Sequence, residues 1–117
     1  QQVLARAKTL WPQKIKTAKD IRAPAGFIHA YDLTRLFIAA VKKAGLTGDI
    51  LIDRENLRSA LENLDTPVEG LIKTYQKPFG IFDQKDPDAH EALGIEDFVM
   101  ARYGEANEII LERREVE

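Results

Sequence analysis

The chain has 117 residues, of which 44% are hydrophobic and 31% charged, the length and ordinary composition of one globular domain. It has no cysteine, which excludes a disulfide scaffold, a thiolate metal site and a cysteine nucleophile, and no apolar run approaches the roughly 18 residues of a membrane span. The net charge of −2 hides an asymmetry: residues 1–48 carry nine Lys/Arg against two Asp, and residues 49–117 carry eight against 17 Asp/Glu. Such a basic half can serve nucleic acid or an anionic membrane. Its cations are not interleaved with stacking aromatics, so the expectation is attraction to the acidic half, or to parts of a larger protein, and no nucleic acid.

Residues 2–10 read as a short helix, ended by Trp11-Pro12 because the residue before proline is pushed out of the α region. Residues 12–24 are basic and aperiodic and read as a loop. The N-terminal six residues show no charged-then-apolar signal pattern. From Gly26 to Ala44 no helix breaker occurs and Gly45 stands where a C-cap glycine belongs. Phe27, Ile28, Tyr31, Leu33, Leu36, Phe37, Ala40, Val41 and Ala44 predict a core helix buried on more than one side. Lys42 and Lys43 suit the dipole of its last turn.

Leu46–Asp49 reads as a turn and Ile50–Ile52 as a short apolar strand. Asp53 reads as the N-cap of a second helix running to about Asn63, with Leu57, Ala60, Leu61 and Leu64 as its stripe. Asp65-Thr66-Pro67 stops it. Gly70–Tyr75 is β-prone, Asp83–Asp88 an acidic surface loop, and the runs 98–103 and 108–111 read as a hairpin.

No catalytic constellation is visible. His29 has only Asp32 at i+3 and His90 only Glu91 beside it, far from the three or four ligands of a metal site. Ser59, the single serine, lies mid-helix without a nucleophile elbow. The glycines form neither a phosphate loop nor a dinucleotide fingerprint. The expectation is no enzyme, no metal and no cofactor.

The stretch His29-Ala30-Tyr31-Asp32-Leu33 through Ala44-Gly45 resembles a helix of type I periplasmic binding proteins, the solute receptors of branched-chain amino acid ABC transporters. Asp53–Leu64 is similar to that family's next helix. Pro67–Leu71 resembles the segment before its late hinge crossing, and Asp88–Leu93 followed by Phe98–Tyr103 the end of one subgroup. Together these cover residues 25–112, the last third of such a receptor.

The resemblance implies an α/β fold that is partial and incomplete as a single chain: two core helices, 26–44 and 54–64, plus a C-terminal β-hairpin. Residues 1–24 would be a helix end and basic loop, and 25–117 the C-terminal receptor segment. It implies a periplasmic or lipid-anchored extracellular protein that binds an amino acid or a small organic or aromatic carboxylate by lobe closure and delivers it to an ABC permease. Phe27, His29 and Tyr31 lie nearest the helix start that faces the cleft in that family, and a helix N-terminus favours an anion. Most of the cleft would come from upstream segments, so the chain is expected to form a homodimer or to associate with those segments. The alternative is a stand-alone α+β interaction domain without a ligand.

Overall fold

The computed structural model describes residues 2–105 and 109–112. Among these, three α-helices and two small antiparallel sheets make a mixed α/β chain. Helix α1 spans Gln2–Leu10, as its apolar pattern and the Trp11-Pro12 stop require. The basic stretch after it is loop with one short 3₁₀ turn, Ala18–Asp20.

Helix α2 runs Pro24–Ala44, two residues earlier than the sequence suggests, because Pro24 occupies the first helical position, where its missing N–H costs nothing. Gly45, at φ 64°, ends it. Only Asp32, Leu36 and Ala40 are buried on this helix. They form a single i, i+4, i+8 stripe, not the broad core face expected. Leu33 and Phe37 are 64% and 49% exposed.

Ile50–Ile52 is not a strand. It is the first turn of helix α3, Ile50–Glu62, whose N-cap is Asp49: its carboxylate accepts from the amides of Leu51 and Ile52 at 2.9 and 3.3 Å. Asp53, expected as the cap, reaches back instead. It accepts from the amide and hydroxyl of Thr47, both at 2.7 Å, and from the amide of Gly48 at 3.0 Å. These bonds hold its carboxyl below the usual carboxylate range. Both aspartates thus serve one helix start.

The β-prone stretch 70–75 is mostly turn. Strand β1, Val68–Glu69, pairs with β2, Thr74–Tyr75, in register Val68↔Tyr75. Strands β3, Ala101–Tyr103, and β4, Ile109–Leu111, form the expected hairpin, with Tyr103 opposite Ile109. Its start, Phe98–Met100, precedes the paired strand, and Glu108 lies outside the described residues.

The core is small. Leu36, Leu64, Val68 and Tyr75 form it, with Ala39, Phe79, Ala92 and Leu93 packed against its edge. Ala40 and Ala60 are the other buried apolar positions on the two packed helices, their short side chains permitting close approach. Lys43 links the helix ends, its ammonium donating at 2.6 Å both to the Asn63 carbonyl and to Asp65. The radius of gyration is 17.8 Å, against about 13 Å for a compact domain of this length. The body is a slab of 52 × 45 × 20 Å.

Candidate functional site

A carboxylate on a helix belongs in water unless donors replace the water it loses. Asp32 is 2% exposed. Its Oδ1 accepts from the Leu71 amide at 2.5 Å, and its Oδ2 from the Ile72 amide at 3.0 Å and the Tyr75 hydroxyl at 2.9 Å. The turn 70–73 that delivers these amides needs Gly70, where a Cβ would stand 2.6 Å from Asp32 Oδ2 and 2.7 Å from the Tyr75 ring. Burial, then the bond to Asp32, pushes the Tyr75 phenol up to about 12, so it remains a donor near neutral pH. Lys73, in the same turn, sits 5.7 Å over the Tyr75 ring and pairs with Asp97.

Beside this clip lies a groove of about 370 Å³, bordered by His29, Leu33, Leu36, Tyr75, Phe79 and Phe98. Phe79 also borders two neighbouring depressions. One, of about 350 Å³, lies against Leu33, Phe37 and Leu61; the other, of about 430 Å³, lies against Leu57, Arg58, Glu62 and His90. Together they make one apolar trough along the α2–α3 pair. At its α3 end the buried Glu62 accepts from Arg58 Nη1 with both oxygens, at 2.7 and 2.6 Å, and His90 Nε2 stands 3.4 Å from it.

The expected ligand residues are not brought together. Phe27 and Tyr31 are half-buried, one turn apart on the same stripe of α2, while His29 is exposed. Two residues along a helix are about 200° around its axis, so His29 faces the groove and the pair faces away. Asp32 borders the groove too, but its carboxylate is occupied by three donors. The trough can therefore hold an apolar body. Among the described residues no group of three or more metal-binding side chains comes together.

Asp32, Gly70, Tyr75 and Glu62 were not singled out from the sequence. One signal pointed to Asp32: it is a carboxylate in the middle of a helix, on the stripe it shares with Leu36 and Ala40. No family model, curated protein or solved structure matches this chain.

Proposed function

We propose that this chain is the C-terminal part of a type I solute-binding receptor that feeds an ABC importer. In this reading it closes on an amino acid or small organic carboxylate together with the receptor's other segments and performs no chemistry. One observation carries the proposal. Two segments that separately resemble the family meet in space: Asp32, in the His29–Gly45 stretch, receives the amide of Leu71, the last residue of the Pro67–Leu71 stretch. A resemblance assembled by chance from scattered residues has no reason to place its pieces in contact. The apolar trough and the slab shape add support, because helices exposing a wide apolar face need a covering layer.

The antiparallel pairing of both sheets favours a second reading, an α+β interaction domain with no solute. The parent gene separates the two. A reading frame whose upstream part encodes two lobes, and whose whole product binds an amino acid or carboxylate with micromolar affinity in calorimetry, is the expected result. A frame that opens at Gln1, or a whole product silent across such a panel, overturns the receptor reading.

A further inference from the structure

The N-terminal segment is the most cationic part of the molecule and takes no part in the trough. Residues 2–22 carry Arg6, Lys8, Lys14, Lys16, Lys19 and Arg22 against one acid, Asp20. All six cations are exposed, and among the described residues none lies within ion-pair distance of a carboxylate. The described acidic residues therefore do not neutralise them by contact. Asp20 is turned into its own loop, accepting from the amides of Lys16 and Thr17 at 2.9 and 2.7 Å and from the Thr17 hydroxyl at 3.2 Å.

The same segment presents apolar surface beside this charge. Helix α1 buries Ala7 and half-buries Val3 and Leu4, but at its end Leu10 and Trp11 are 57% and 50% exposed. At about 100° per residue, Arg6 and Lys8 project about 100° to either side of Ala7, flanking the stripe that leads to Trp11. The Trp11 carbonyl accepts the amides of Lys14 and Ile15, both at 2.9 Å, which turns the start of the lysine-rich loop at the end of α1. Exposed cations around an exposed apolar pair that includes an indole are the chemistry of a segment meeting a bilayer interface.

We propose that residues 2–22 dock on an anionic lipid surface, Leu10 and Trp11 entering the headgroup region and the six cations meeting lipid phosphates. The exposed Leu10–Trp11 pair distinguishes this from nucleic-acid binding, which would use the cations but give Leu10 no partner. The inference is independent of the solute-binding reading.

Trp11 is the only tryptophan, so its emission reports on this surface alone. The test mixes the intact chain with vesicles of phosphatidylcholine containing phosphatidylglycerol, and with pure phosphatidylcholine vesicles. Expected are a blue shift and flotation with the anionic vesicles at low salt, and release at about 1 M salt, where the Debye length falls to about 3 Å. Replacing Lys14, Lys16, Lys19 and Arg22 by glutamine lowers partitioning by several hundredfold, about fivefold per cation. Leu10→Ser weakens it further, and these exposed sites leave the far-UV circular dichroism unchanged. No shift, equal binding to neutral vesicles, displacement by soluble glycerol phosphate, or tighter binding to an oligonucleotide each overturns the proposal.

Discussion

The Tyr75 hydroxyl donates to Asp32 Oδ2 at 2.9 Å, joining strand β2 to the middle of helix α2 across 43 residues of chain. With the amides of Leu71 and Ile72 on the same carboxylate, this contact ties the β1–β2 sheet to helix α2. Removing the carboxylate leaves the buried Tyr75 hydroxyl and the part-buried amides of Leu71 and Ile72 without their acceptor. Asp32→Ala is expected to cost about 2–4 kcal/mol, Asp32→Asn less, and Tyr75→Phe about 1–2 kcal/mol. Urea unfolding of the three variants and the Asp32/Tyr75 double mutant measures this; additive effects would remove the coupling.

Gly70→Ala places a methyl group 2.6 Å from Asp32 Oδ2, whereas at Gly80 the nearest contact to a new Cβ is 3.6 Å. The first variant is expected to lose more than about 2 kcal/mol by overpacking against a fixed carboxylate. Gly80→Ala stays within about 1 kcal/mol. Thermal melting of the two side by side shows the difference.

Stability depends on pH at both extremes. The folded Tyr75 phenol is raised from its ordinary 10 to about 12. A raised value stabilises fully below pH 10, and the contribution is lost as pH climbs through 12. Tyr75→Phe should flatten the denaturant midpoint over that window. Asp97 runs the other way: the bond from Lys73 lowers its carboxyl below the ordinary 3.8. Its stabilisation is present above that value and fades as pH falls through the depressed one, so Lys73→Met flattens the acid limb.

Exposure separates two hydrophobic residues that a helical wheel treats alike. Leu64 is 1% exposed and Phe37 49%. Leu64→Ala is expected to cost about 3 kcal/mol and Phe37→Ser under about 1 kcal/mol. A large loss at Phe37 in chemical unfolding would put a covering layer on that face of α2.

The chain by itself is expected to bind no amino acid or aromatic acid with micromolar affinity. Its groove beside His29 is apolar, and the buried carboxylate of Asp32 on its border is satisfied by three donors. Calorimetry against such a panel gives no heat beyond dilution, and a saturable micromolar signal contradicts this.

Where local chemistry decides, the sequence alone determined the outcome. Trp11-Pro12 ends α1, Gly45 ends α2 because only a residue tolerant of φ 64° continues there cheaply, and two β-prone runs around turn formers pair as β3 and β4. The start of α3 was ambiguous: Asp49 and Asp53 are equally good caps, and Ile50–Ile52 is too short for its period to distinguish strand from helix. The backbone of Thr47 and Gly48 resolved it by giving Asp53 other donors. Only the tertiary structure decided the central clip and the depth of the core. Burying Asp32 depends on amides 39 and 40 residues away, which no local periodicity encodes. Which apolar positions of α2 are covered depends on what packs there: Leu36 meets Leu64, Val68 and Tyr75, while Leu33 and Phe37, also apolar, stay exposed.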